Sequence, residues 1–93
     1  MVQLALFVAP ATIGSRLATD NIRSAVGRCA PGTFELEIID VFEQPSRALQ
    51  ERVLATPTLL ASASGMRVVG DLSDETLLDH FLGTLTTPQQ AER

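Results

Sequence analysis

The hydrophobic positions of this chain follow different periods in successive segments. Leu4–Ala9 is an apolar run that ends at Pro10, which predicts a central strand covered on both faces. The next apolar positions recur near a 3.6-residue period, which predicts a helix capped by Thr12. Its buried stripe is predicted to contain Ile13, Leu17, Ile22, Ala25, Val26 and Cys29. Phe34–Ile38 alternates apolar and acidic residues, which predicts a second strand and a right-handed parallel βαβ unit.

The second half of the chain predicts a short helix, a hairpin and a last helix. Pro45 suits the first position of a helix that reaches about Arg52. Two short apolar runs, 58–60 and 66–69, flank the turn pair Ser64-Gly65 and predict an antiparallel hairpin. Ser73 is the predicted N-cap of the last helix, with acidic residues in the first turn. Its predicted apolar stripe contains Leu77, Leu78, Phe81, Leu82 and Leu85.

Length and composition narrow the classes of function. The 93 residues predict one domain over 1–86, followed by a polar tail over 87–93. A net charge of −4 argues against a nucleic-acid partner, because phosphate binding needs a concentrated basic surface. The apolar start lacks a basic segment and is too short to span a bilayer, so we expect a cytoplasmic protein without a membrane anchor.

Few residues offer a candidate chemistry. Cys29 is the only cysteine, and its position predicts a buried, inert thiol that belongs to no CxxC pair. Ser15 has no base beside it, so we interpret it as a capping or solvated residue. Glu35 and Glu37 share one strand face, which favours a solvated or protein-binding surface over an acid/base pair. Asp40, at the strand end, is interpreted as a hydrogen-bonded structural carboxylate with a secondary binding role.

Two segments carry a resemblance to a known family. The sequences LATPTLLASASGMRVVGDLSD at 54–74 and FELEIIDVFEQP at 34–45 are similar to the KaiB family, small thioredoxin-like proteins of the bacterial circadian clock. The resemblance implies an α/β thioredoxin-like fold, β-α-β-α-β-β-α, with a mixed four-stranded sheet. It also implies a cis proline at Pro57. An alternative is the KaiB ground-state fold, in which the C-terminal half is rearranged.

The resemblance implies a non-enzymatic regulatory adaptor that binds a KaiC-like ATPase ring and needs no cofactor. The candidate partner-binding residues are Glu35, Glu37 and Asp40, and the candidate structural residues are Pro57, Asp71 and Ser73. KaiB-family clock proteins carry basic or small residues where Glu35 and Glu37 stand, which argues against a KaiA-like partner. Self-association into a homo-oligomer stays open.

Two other functions remain as alternatives. One is a redox or peroxide-handling enzyme on the thioredoxin scaffold, which the absence of a cysteine pair argues against. The other is a dimeric stress-response scaffold unrelated to any ATPase. For the fold itself, the last helix has no glycine before Gly83, so we expect the free protein to rest in the thioredoxin-like state.

Overall fold

A four-stranded mixed sheet with helices on both faces forms the molecule. The computed structural model describes residues 1–29 and 31–86, and the predicted tail 87–93 lies outside them. The elements are, in chain order, β1 (Val2–Val8), α1 (Ile13–Arg28), β2 (Phe34–Asp40), α2 (Pro45–Gln50), β3 (Thr58–Ala61), β4 (Arg67–Val69) and α3 (Glu75–Thr86). This order is the predicted one.

The sheet has the strand order β2-β1-β3-β4. Strands β1 and β2 are parallel, with Leu6 opposite Ile38, whereas β3 runs antiparallel to both β1 and β4. The larger core lies between one sheet face and the helices α1 and α3, and contains Leu6, Ile22 and Leu82. A smaller core around Phe7 and Ile39 lies on the other face, under α2. Strand β2 therefore forms one edge of a sheet that is covered on both sides.

Helix α1 buries only part of the predicted stripe. Thr12 caps the helix as expected, because its hydroxyl accepts a hydrogen bond from the amide of Ser15. However, Ile13 is 73% exposed and Leu17 is 44% exposed. At about 100° per residue, these two side chains point roughly 120–160° away from the centre of the buried stripe. The residues that meet the sheet are Ser15, Ala18, Ile22 and Ala25.

The hairpin and the last helix also differ from the prediction in detail. The Ser64-Gly65 pair belongs to a four-residue loop, since Ala61 and Met66 close the hairpin through a hydrogen bond of 2.8 Å. Helix α3 begins after Asp74, whose carboxylate accepts the amide of Leu77 at 3.0 Å. Asp74, not Ser73, is therefore the N-cap. Leu77 flanks the apolar stripe and is exposed.

Candidate functional site

The outer edge of β2 is the sheet edge that carries the candidate partner-binding residues. Because β2 pairs only with β1 in the described chain, its outer backbone groups face no neighbouring strand there. Edge strands offer unpaired backbone donors and acceptors to another chain. We call Glu35 and Glu37, together with this edge, the β2 surface; Asp40, at the end of β2, is not part of it.

Glu35 and Glu37 lie on the sheet face that carries α2. Both are exposed, and residues two apart on a strand share a face. Gln3 Nε2 on β1 donates a hydrogen bond of 3.3 Å to Oε1 of Glu35. Glu37 is held more firmly, since both of its oxygens accept hydrogen bonds of 3.0 Å from Arg47 on α2. These bonds lower the pKa of Glu37, so its carboxylate is charged and already paired with Arg47.

Asp40 lies on the opposite face of the sheet from the two glutamates. Its Oδ1 accepts the amides of Phe42 at 2.8 Å and Glu43 at 3.4 Å, which fixes the turn after β2. Its side chain lines a groove with Ile38 and with α1. The structure therefore brings Glu35 and Glu37 together but separates Asp40 from them, because an odd sequence spacing changes the strand face.

The junction of β1 and α1, residues 9–15, contains a buried serine, Ser15, and no cysteine. Ser15 is neither a cap nor solvated, since it is buried and its Oγ accepts the amide of Ala9 at 3.0 Å. Thr12 donates its hydroxyl to the carbonyl of Ala9 at 2.9 Å. The two hydroxyl groups thus hold the backbone of this junction. Periodicity of large apolar residues gave no signal for Ser15.

Pro57 packs against the same junction. The Thr56–Pro57 bond is cis and Pro57 is buried. A Cβ placed on Gly14, at the start of α1, would lie 3.7 Å from Cδ of Pro57. The carbonyl of Pro57 accepts the amide of Gly70 at 3.0 Å, which ties this segment to the end of β4. Pro57 therefore lies beside the start of α1 and is hydrogen-bonded to the residue after β4.

Cys29 lies at the other end of α1, about 24 Å along the helix from the Pro57 junction. It is partly buried rather than fully buried, and its Sγ lies 3.6 Å from Oδ1 of Asp79 on α3. Burial, and then the nearby Asp79 carboxylate, raise the pKa of the Cys29 thiol. A raised pKa disfavours the thiolate, which is the nucleophilic form.

The turn between β4 and α3 is organised by Asp71. Its Oδ1 accepts the amide of Ser73 at 3.0 Å, and hydrogen bonds from Ser73 lower the pKa of Asp71. Asn21 on α1 donates its Nδ2 to the carbonyl of Asp71 at 2.9 Å, a contact the sequence did not indicate. Leu72 adopts φ 61° with its side chain buried, so a leucine occupies the left-handed region.

Neither a metal centre nor a membrane segment is found in the described part of the chain. Within residues 1–29 and 31–86, no group of three or more His, Cys, Asp or Glu side chains is placed to hold a metal ion. None of the helices α1–α3 is long and apolar enough to cross a bilayer.

Solved structures show which fold this is. The thioredoxin of Fasciola hepatica superposes with a TM-score of 0.77 at 19% identity, over 91% of this chain and 81% of that one. The N-terminal domain of Synechococcus elongatus SasA superposes with a TM-score of 0.72 at 20% identity, over 99% of this chain and 85% of the SasA domain. At these identities the similarity shows the fold alone, which is thioredoxin-like as expected.

Sequence comparisons show the family. The KaiB domain pattern matches residues 5–84. The circadian clock oscillator protein KaiB of Prochlorococcus marinus is 38% identical over 73 residues, which cover 76% of this chain and 70% of that protein. The circadian clock protein KaiB3 of a Synechocystis species is 34% identical over 76% of this chain and 72% of its own length. Such names indicate clock regulatory proteins and no known enzyme. This chain therefore belongs to the KaiB family.

Proposed function

We propose that this protein is a non-enzymatic regulatory adaptor that binds a KaiC-like ATPase ring in the cytoplasm. Family membership supports a clock-type regulator, and the β1–α1 junction supports a role without thiol chemistry. The hydroxyl of Ser15 there accepts a backbone amide. Cys29 lies far from the junction, and the pKa of its thiol is raised. Both observations weigh against the redox alternative.

The β2 surface is the observation that supports binding to another protein. It combines an edge strand with the exposed carboxylates of Glu35 and Glu37. An edge strand can be extended by a strand of another protein through backbone hydrogen bonds. The charges on such an edge discourage indiscriminate pairing and select a partner of complementary charge. An acidic β2 surface favours a basic partner and argues against one that recognises a basic strand.

A binding measurement with charge reversal tests the proposal. The purified protein is passed over an immobilised KaiC-like ATPase from the same organism, with ADP and with a non-hydrolysable ATP analogue. Binding is expected in at least one nucleotide state. Glu35→Lys is expected to reduce the association rate and its salt dependence, because a rim charge acts mainly on association.

Glu75→Lys is the matched control, because Glu75 is an exposed carboxylate on α3, which packs on the sheet face opposite Glu35 and Glu37. It is expected to leave the association rate close to that of the wild type. Absence of binding in both nucleotide states would refute the ATPase partner. Equal loss of binding in both variants would refute the β2 surface while leaving the ATPase partner in place.

A further inference from the structure

The strongest unassigned feature is a groove between α1 and the carboxyl ends of β1 and β2. It holds about 370 Å³, which falls in the range of roughly 300–1,000 Å³ typical of small-ligand sites. Val8, Pro10 and Ile38 supply an apolar surface within it. Its polar groups come from two walls, with Arg16, Thr19 and Asp20 on the helix and Asp40 on the strand end.

The two carboxylates of this groove have unused acceptor capacity. Within residues 1–29 and 31–86, Asp20 makes no ion pair and no side-chain hydrogen bond. Asp40 uses Oδ1 for the amides of Phe42 and Glu43, and Oδ2 accepts no hydrogen bond from the described chain. By contrast, the hydroxyl of Thr19 is already donated to the carbonyl of Ser15 at 2.9 Å.

The charge of the groove specifies its ligand. Two carboxylates and the single cation of Arg16 leave a net charge of −1, which calls for a cationic ligand. A guanidinium is planar, weakly hydrated and rich in donors, so one group can bridge carboxylates on two walls. The alkyl stem of an arginine can pack along apolar surface while its charged head meets the carboxylates. We propose that this groove receives an arginine side chain of a protein partner.

The inference rests on the proposed function only in taking a protein as the source of the arginine. The groove lies on the sheet face opposite Glu35 and Glu37, so it can be disabled without changing their charges. The two sets of substitutions are therefore separable. If the groove does not bind arginine, the proposed ATPase partner is unaffected. If the protein does not bind the ATPase, the proposed arginine site is unaffected.

The test is a titration of the full-length protein, followed by amide chemical shifts. The probe is Nα-acetyl-arginine amide, a single arginine side chain without terminal charges. The largest shifts are expected at Asp20, Ile38 and Asp40, with saturation. Nα-acetyl-citrulline amide has the same shape without the charge and is expected to leave these amides unshifted. Nα-acetyl-lysine amide is expected to bind at least about threefold more weakly.

Two variants assign the contacts. Asp20→Asn and Asp40→Asn are each expected to weaken arginine binding by about threefold or more, the scale of a partly exposed ion pair. Asp40→Asn keeps an oxygen that can accept the amide of Phe42, so the turn is preserved. Glu51→Gln is the matched control and is expected to leave the affinity unchanged. Equal shifts with the citrulline probe, equal affinity for the lysine probe, or unchanged affinity in both aspartate variants would overturn the proposal.

Discussion

The guanidinium of Arg47 on α2 binds both carboxylate oxygens of Glu37 on β2, each at 3.0 Å. This pair fastens the shortest helix to the edge strand that we propose meets a partner. Both side chains remain about half exposed, at 41% for Arg47 and 53% for Glu37. Solvent therefore screens the attraction, and the pair is more important for orienting α2 than for global stability.

Glu37→Gln is expected to destabilise the protein only slightly, and only at pH values at which the native carboxylate is charged. Hydrogen bonds from Arg47 lower the pKa of Glu37, so their stabilisation is fully present above the ordinary glutamate pKa. It is lost as the pH falls through the lowered value. Urea unfolding should show a wild-type advantage below about 1 kcal/mol near pH 7, which shrinks towards about pH 3. An advantage that grows on acidification would contradict this assignment.

Helix α3 should depend on Asp74 more than on Ser73. The carboxylate of Asp74 accepts the amide of Leu77, so Asp74→Ala removes the cap and should cost about 0.5–2 kcal/mol of unfolding free energy. Ser73 is exposed and supports only the Asp71 turn, so Ser73→Ala should cost less than about 0.5 kcal/mol. Urea denaturation of the two alanine variants decides between them. A larger loss for Ser73→Ala would restore serine as the cap.

Leu72 combines burial with a backbone conformation that leucine disfavours. Its φ is 61°, and the left-handed region costs a non-glycine residue about 1–2 kcal/mol. Leu72→Ala and Leu72→Gly both remove the buried side chain, but only glycine relieves the strain. Glycine should therefore be less destabilising than alanine here, by about 0.5–1 kcal/mol in urea unfolding at an unchanged m-value. A glycine variant less stable than the alanine variant would show that the strain is absent.

Periodicity and turn residues predicted all seven elements, because large apolar residues and Pro or Gly mark the strands, the helices and their ends. These patterns gave wrong or incomplete predictions where small or polar residues make the contact between a helix and the sheet. Hydrophobicity placed Ile22 and Ala25 correctly in the buried stripe of α1 but wrongly included Leu17, which points outward. It also missed Ser15 and Ala18, which face the sheet. The Glu37–Arg47 pair and the Asn21 bond to Asp71 depend on how α2 and α1 lie in three dimensions, which no local pattern encodes.

No dithiol redox activity is expected. One partly buried cysteine cannot cycle through an intramolecular disulfide, and burial raises the pKa of its thiol. In an insulin-reduction assay the wild type and Cys29→Ser should both match the background. At about pH 7, iodoacetamide should alkylate Cys29 more slowly than a free cysteine of ordinary pKa. Insulin reduction by the wild type that disappears in Cys29→Ser would reinstate the enzyme alternative.

The free protein is expected to keep α3 helical, although the family resemblance implies an alternative fold in which this segment becomes a strand. Phe81 is buried against the core, and helix α3 contains no glycine before Gly83. A phenylalanine in place of glycine favours the helix through propensity and through the apolar area it buries. Carbon chemical shifts of the free protein should therefore be helical over 77–82.

Phe81→Gly removes both contributions and should destabilise the helical state by more than about 3 kcal/mol, since deleting a buried phenylalanine side chain alone costs about 3–5 kcal/mol. Thr84→Gly is the matched control, because Thr84 lies on the exposed side of the same helix. It should cost only about 1 kcal/mol or less, the propensity difference for glycine. Unfolding curves measure both losses. Strand-like shifts over 77–82 in the wild type, or equal losses in the two variants, would show that Phe81 does not hold the helical state.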